Sequence, residues 1–174
     1  AITMAAGALI GDLKQAPKRT IRVIAFANEE QGLLGGYAYA EAMKAAVANH
    51  QIGAESDFGA GKIYALQAGV SATTWPVIEQ IGQVLAPLGI ALDKAGGGPG
   101  PDIGPMAKNG VPWAELAQDG IDYFDYHHTA NDTLDKINAK VVRMAVTIIL
   151  VWICERRVKE IIGSGREHKV RAKN

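Results

Sequence analysis

The chain reads Thr20-Ile21-Arg22-Val23-Ile24-Ala25-Phe26-Ala27 and continues directly into Asn28-Glu29-Glu30-Gln31-Gly32. The first run is rich in β-branched and apolar residues, which predicts an interior strand of a parallel sheet over Thr20–Ala27. Glu29 and Glu30 follow at its end, and adjacent carboxylates repel each other. A division of labour would explain such a pair: one carboxylate binds a metal and its neighbour acts as general base on metal-bound water. The alternative is a solvated turn.

Predicted strands alternate with predicted helices along the chain. The further strands are expected at His50–Ser56, Lys62–Ala68, Ile90–Lys94 and Val111–Leu116. The helices are expected at Ala1–Leu13, Leu33–Ala48, Thr74–Leu88, Asp102–Asn109 and Ile137–Ile162. This alternation predicts the α/β class with a mainly parallel sheet. Polar residues that follow strand ends are then expected at the edge where open α/β sheets bind ligands.

Length and composition limit the possible classes of protein. The 174 residues are 48% hydrophobic and 21% charged, which predicts one globular domain over residues 1–162 followed by a frayed basic tail over residues 163–174. The formal net charge is zero, so neither a nucleic acid nor a membrane surface is expected as a partner. The single Cys154 cannot form a disulfide within the chain.

The two apolar segments Ala1–Ile10 and Val141–Cys154 are not expected to be targeting or membrane segments. Ala1–Ile10 has neither a basic segment before it nor a cleavage site after it, and we interpret it as a helix entered partway in a longer protein. Val141–Cys154 is interrupted by Arg143 and is too short to cross a bilayer, which predicts a buried helix.

Polar clusters follow several of the predicted strands. They are Glu29-Glu30, Glu55-Ser56-Asp57 and the run from Tyr126 to Thr133 that contains His127 and His128. Carboxylate oxygen and imidazole nitrogen are zinc ligands, and a catalytic zinc keeps one position open for water. The absence of cysteine from these clusters disfavours a structural zinc finger.

Each cluster also has a purely structural interpretation. Asp57 before Phe58-Gly59 is typical of a turn, and His127-His128 is compatible with an ordinary loop pair. Asp102 and Asp132-Thr133 are compatible with helix caps. Because all of these residues are expected at one edge of the sheet, a shared site is favoured over separate coincidences.

The motifs occur in the order found in the M28 zinc metallopeptidases. The sequence Asn28-Glu29-Glu30-Gln31-Gly32-Leu33-Leu34-Gly35 comes first, then Glu55-Ser56-Asp57, Gly100-Pro101-Asp102-Ile103, and His127-His128-Thr129 with Asp132-Thr133. The chain resembles the carboxypeptidase Q, or plasma glutamate carboxypeptidase-like, branch of that family over Ala1 to about Glu155.

The resemblance implies a three-layer α/β sandwich of the zinc-dependent exopeptidase type, with a mostly parallel mixed sheet. It implies a dinuclear zinc site that hydrolyses peptides or dipeptides, in a periplasmic or secreted protein. Glu29 then resembles the general base, Glu30 and His128 resemble ligands of one zinc, and Asp57 resembles a ligand of the other. Asp102 matches a position close to the base.

His127 and Tyr126 flank the expected site and are candidate donors to the oxyanion. The family pattern has further ligands upstream, a histidine in a His-x-Asp motif and a bridging aspartate, before the helix that resembles Ala1–Leu13. We therefore expect this chain to be N-terminally truncated relative to the family domain. We also expect it to be inactive alone and to bind at most one zinc.

Two alternatives stay open from the sequence. A glutaminyl cyclase has a similar ligand set and would carry out intramolecular transfer with one zinc. A peptidase-like binding domain would have lost its metals, although the presence of Glu29, Glu30, Asp57 and His128 argues against degeneration in this part of the chain.

Overall fold

The computed structural model describes residues 2–14 and 16–145. Its helices are α1 (Ile2–Gly11), α2 (Leu34–Ala42), α3 (Trp75–Leu85), α4 (Gly104–Lys108) and α5 (Tyr123–Tyr126). Its strands are β1 (Gly53–Glu55), β2 (Ile63–Gly69), β3 (Ala91–Leu92) and β4 (Trp113–Gln118). Short 3₁₀ turns span Lys44–Asn49, Ala86–Leu88 and Leu134–Lys136, and residues 139–145 are helical. Cys154, the rest of the predicted final helix and the 163–174 tail lie outside the described residues.

The described strands form one mixed sheet in the order β1-β4-β2-β3. β1 pairs with β4, and β2 with β3, in parallel. The longest pairing, between β2 and β4, is antiparallel and places Leu66 opposite Leu116. The expected α/β class and mixed sheet are confirmed.

Helix α3 supplies much of the core because its apolar residues recur at helical spacing. Val77, Ile78, Ile81 and Leu85 are buried on one face and pack in a cluster with Leu66, Leu116 and Ile90. A second, smaller core joins α2 and α4 through Ala40, Met106 and Val111. The helix predicted over Thr74–Leu88 is confirmed, with a 3₁₀ turn at Ala86–Leu88 and Gly89 in the left-handed conformation at its end.

The prediction of a strand at Thr20–Ala27 is wrong. In the described part of the chain no strand pairs with residues 20–27, which are neither helix nor strand. Ile21 and Val23 are 37% and 40% exposed. β-branched composition favours an extended backbone, but a strand also needs a partner to complete its hydrogen-bond ladder. The segment is instead attached by the Arg22 side chain, which donates to the Tyr39 hydroxyl at 2.9 Å, and by the Ala27 carbonyl, which accepts from the Gly35 amide at 2.9 Å.

The other expected strands are confirmed with shorter or shifted bounds, namely His50–Ser56 as β1, Lys62–Ala68 as β2, Ile90–Lys94 as β3 and Val111–Leu116 as β4. The expected helix at Leu33–Ala48 is α2 followed by a 3₁₀ turn, and the one at Asp102–Asn109 is the single short helix α4. Within the described ranges, no helix combines the length and the apolar character that crossing a bilayer requires.

We expect Leu85→Ala to lower the free energy of unfolding by about 2–5 kcal/mol, because the Leu85 side chain is fully buried and its removal leaves a cavity. Leu134→Ala is the matched control, since Leu134 is 86% exposed, and it should change stability by about 0.5 kcal/mol or less. Urea denaturation of the 174-residue chain measures both. Equal effects of the two substitutions would contradict this description of the core.

Candidate active site at the strand ends

A tight turn presents Glu29 and Glu30 just before helix α2. The carbonyl of Glu29 accepts hydrogen bonds from the amides of Gly32 and Leu33, at 3.0 and 2.8 Å. Asn28 and Leu33 have φ angles of 56° and 59°, a left-handed conformation that is uncommon for residues other than glycine. A Cβ at Gly35 would lie 2.6 Å from backbone atoms of Ala27, so α2 starts in direct contact with the preceding segment. The sharp turn therefore depends on local backbone strain and on a glycine contact.

Glu30 contacts His128, a residue far away in sequence. The Nε2 atom of His128 lies 2.9 Å from Oε2 and 3.0 Å from Oε1 of Glu30. The two side chains are 59% and 60% exposed, so the pair itself stabilises the fold by about 1 kcal/mol at most. His128 also has a φ of 59°, and such strain in a non-glycine residue is concentrated at functional sites.

Glu29 lies within electrostatic range of the other predicted carboxylates. Loss of solvation raises its pKa, and the charges of Glu30, Asp57 and Asp102 raise it further, while His128 opposes them. A carboxylate with a raised pKa holds a proton more readily near neutral pH, which suits a general base. The structure therefore brings Glu29, Glu30, Asp57, Asp102 and His128 into one neighbourhood.

Asp57 follows β1 in the loop that leads to β2. Loss of solvation and the charge of Glu30 raise its pKa, and His127 lowers it. Asp57 thus lies within electrostatic range of both the Glu30 carboxylate and the His127 imidazole.

Asp102 is not the helix cap that its position suggested. The residue before α4 is Ile103, and no side chain caps that helix. The Oδ1 atom of Asp102 is buried and has no hydrogen-bond partner among the described residues. Loss of solvation and the charge of Asp57 raise the pKa of Asp102. A buried carboxylate oxygen without a partner is costly, which agrees with a role in the site rather than in capping.

Glu55 belongs to the Glu55-Ser56-Asp57 cluster of the sequence, which gave it no individual role. Its carboxylate accepts hydrogen bonds from the backbone amides of Ile103, at 2.9 Å, and Asp102, at 3.4 Å. Burial raises the pKa of Glu55 to about 7, against the opposing effect of these two bonds. Glu55 lies two residues before Asp57 in the sequence. In the structure its two hydrogen bonds attach the turn at Asp102 to β1.

The aromatic residues near the site are arranged differently from expectation. The His127 ring stacks on Tyr123 at 4.5 Å and on His128 at 3.7 Å, between ring centroids. Tyr126, which was predicted to flank the site, has its ring 5.8 Å from the Lys136 ammonium instead. The pKa of Tyr123 is raised by loss of solvation and by the charges of the nearby carboxylates, Asp57 first. Tyr123 therefore faces the acidic site, and His127 directly follows the short helix α5, with its amide donating to the Tyr123 carbonyl at 2.8 Å.

The side chains of Glu30 and His128 are of the chemical types that bind zinc. Glu30 offers carboxylate oxygen and His128 imidazole nitrogen, the ligands that zinc takes in catalytic sites. Within residues 2–14 and 16–145, however, no three His, Cys, Asp or Glu side chains are grouped so as to hold one metal ion. Glu30 and His128 are thus suited to part of a zinc coordination shell.

The sequence model of the family described as Peptidase family M28 matches residues 1–153. The chain belongs to this family. Among M28-like relatives, carboxypeptidase Q of Pongo abelii is 34% identical over 147 residues, which cover 84% of this chain and 31% of that protein. Carboxypeptidase Q of Homo sapiens is 33% identical over 147 residues, which again cover 84% of this chain and 31% of that protein. This M28 chain therefore spans about a third of the length of the curated relatives that it matches.

Solved structures agree with the family assignment. The crystal structure of a peptidase M28 precursor from Shewanella amazonensis SB2B is 49% identical and superposes with a TM-score of 0.80, covering 87% of this chain and 35% of that one. The LapA aminopeptidase of Legionella pneumophila superposes with a TM-score of 0.68 at 17% identity, over 88% of this chain and 43% of that one. The second likeness concerns the fold alone.

We expect the stability of the M28 chain to fall between about pH 4.5 and 7 in part because of Glu55. Its pKa in the folded state, about 7, is above the ordinary value of 4.5, so the folded state binds this proton more tightly than the unfolded state. The contribution is fully present below pH 4.5 and is lost as the pH rises through 7. Glu55→Gln should flatten this part of the curve.

Denaturant unfolding at pH 4.5, 6 and 7.5 tests this expectation, with Glu41→Gln as the control because the Glu41 side chain is 76% exposed. An unchanged slope in Glu55→Gln would show that Glu55 is not the group that titrates.

Proposed function

We propose that the full-length protein is a zinc-dependent exopeptidase of the aminopeptidase or dipeptidase type. The observation that carries this proposal is the convergence of Glu29 with the Glu30–His128 pair, in a chain of family M28. The similarity to carboxypeptidase Q supports peptide hydrolysis. Residues 1–162 are assigned to the catalytic domain, of which this chain is a part.

We assign each site residue a role according to the chemistry of its side chain. Glu30 and His128 hold one zinc, and Asp57 contributes to a second, together with ligands outside this chain. When bound, zinc acidifies water and polarises the scissile carbonyl. Asp102 and Glu30 keep negative charge near Glu29, which raises the pKa of the Glu29 carboxyl.

Glu29 moves the proton in this mechanism. Its carboxylate accepts a proton from the attacking water, and it then gives that proton to the nitrogen of the leaving amine as the C–N bond breaks. The His127 ring, fixed between Tyr123 and His128, is placed to donate to the oxygen of the tetrahedral intermediate. We assign Tyr123 rather than Tyr126 to this surface, because the nearby carboxylates raise the pKa of Tyr123.

We expect Glu29→Gln in the full-length protein to lower kcat by about 10²–10⁴-fold, because glutamine cannot accept the proton. Zinc content should stay the same, since Glu29 is not assigned as a ligand. Dipeptide hydrolysis and metal analysis measure the two effects, with the exposed Glu41→Gln as the control. Near-normal turnover in Glu29→Gln would remove Glu29 from the role of base.

We expect the 174-residue chain alone to bind at most one zinc, weakly, and to be inactive. The grouping of donors among the described residues supports this, because Glu30 and His128 form only a pair. Calorimetric titration with zinc measures stoichiometry and affinity, and Glu30→Ala should abolish the binding whereas Glu41→Ala should not. Two tightly bound zinc ions, lost in Glu30→Ala, would mean that the chain holds a complete site.

A further inference from the structure

Gln118, the last residue of β4, is buried although its side chain is polar. Only 7% of the residue is exposed. A buried amide is costly unless its donors and acceptor are satisfied. The Oε1 atom accepts a hydrogen bond from the Ser56 hydroxyl at 2.6 Å, and Nε2 donates to the carbonyls of Gly59, at 3.0 Å, and Gly61, at 3.3 Å. The amide thus uses both donor hydrogens and its oxygen.

All three partners of Gln118 belong to the loop over residues 56–61, which contains Asp57. This loop joins β1 to β2 and has neither helix nor strand of its own. The Ser56 hydroxyl also lies 2.8 Å from the carbonyl of Leu116 on β4. A Cβ at Gly61 would lie 1.7 Å from the Asp119 carbonyl oxygen, so the loop rests directly on the end of β4.

The other side of the loop is held by rings. Phe58, next to Asp57, stacks on Tyr123 with centroids 4.4 Å apart and an interplanar angle of 21°. Tyr123 stacks in turn on His127, and His127 on His128. Asp57 is therefore carried by a loop fixed between the Gln118 amide and a stack that ends at His128.

We propose that Gln118 is a positioning residue whose side-chain amide fixes the 56–61 loop, so that Asp57 faces the Glu30–His128 pair. Its effect on metal affinity and turnover rests on the proposed function, whereas its effect on the loop does not. Residues that hold metal ligands in place typically change metal affinity or activity by about 10–100-fold when they are mutated.

Gln67 provides a matched control on the neighbouring strand. It too is 7% exposed, and its Nε2 atom donates to Asp93 Oδ2 at 2.7 Å, in a different loop. Gln118→Leu and Gln67→Leu remove the same amide group from equally buried positions, but the first removes the hydrogen bonds to the 56–61 loop and the second removes the bond to Asp93. Only Gln118→Leu should release the loop that carries Asp57.

The first measurement is limited proteolysis of the full-length protein with chymotrypsin, with cleavage after Phe58 followed by mass spectrometry. The rate of this cleavage should rise about tenfold or more in Gln118→Leu relative to Gln67→Leu. Ser56→Ala removes the hydroxyl shared by Gln118 Oε1 and the Leu116 carbonyl but keeps the two Nε2 bonds, and it should give a smaller rise. This variant tests the proposal even if Gln118→Leu does not fold. Equal rates in Ser56→Ala and wild type, or equal rises in the two leucine variants, would overturn the proposal.

The second measurement is zinc titration together with steady-state hydrolysis. Gln118→Leu should weaken the zinc bound through Asp57 about 10–100-fold and lower kcat more than it changes KM, while Gln67→Leu leaves both near wild type. Unchanged zinc affinity and kcat in a variant whose loop has opened would overturn the role in the site. If wild type neither binds zinc nor hydrolyses peptides, the proposed function fails, and the proteolysis result still decides whether Gln118 positions the loop.

Discussion

The antiparallel pairing of β2 with β4 is the constraint on which the rest of the structure depends. Its register places Leu66 opposite Leu116, where both face the core that α3 covers. Because β1 runs parallel to β4, the two strands end at the same edge of the sheet. The loop after β1 carries Asp57, and the chain after β4 leads to His127 and His128. Strand pairing therefore brings the Asp57 and His127–His128 parts of the site to one edge of the sheet, and the turn before α2 adds Glu29 and Glu30.

The carboxylates of the candidate site lie close together, an arrangement that is electrostatically unfavourable. Glu29, Glu30, Asp57 and Asp102 share one neighbourhood, and repulsion by neighbouring carboxylates helps to raise the pKa of Glu29, Asp57 and Asp102. Mutual repulsion of this kind destabilises a folded state, and natural proteins retain it where activity requires it. Left-handed backbone at Asn28, Leu33 and His128 adds local strain at the same place.

Much of the fold and of the candidate site could be predicted from the sequence because local composition carries that information. The apolar spacing in α3 and the β-rich runs of β2 and β4 are local patterns, and the order of the polar motifs indicated the family. Residues 20–27 had the same local signal and were wrongly assigned, because pairing needs a second strand. Tyr123 and Gln118 were missed, and Glu55 was given no role, for a related reason: the Gln118–Ser56 hydrogen bond, for example, joins residues 62 positions apart. Such contacts exist only once the register of the sheet is set.

The ring stack has a mechanical consequence for the site. Phe58, Tyr123, His127 and His128 follow one another at centroid distances of 4.4, 4.5 and 3.7 Å, with no interplanar angle above 28°. Rotation of the Phe58 ring must be accommodated by Tyr123 and His127 before it reaches His128. The stack therefore forms a continuous path of direct ring contacts between the loop that carries Asp57 and His128.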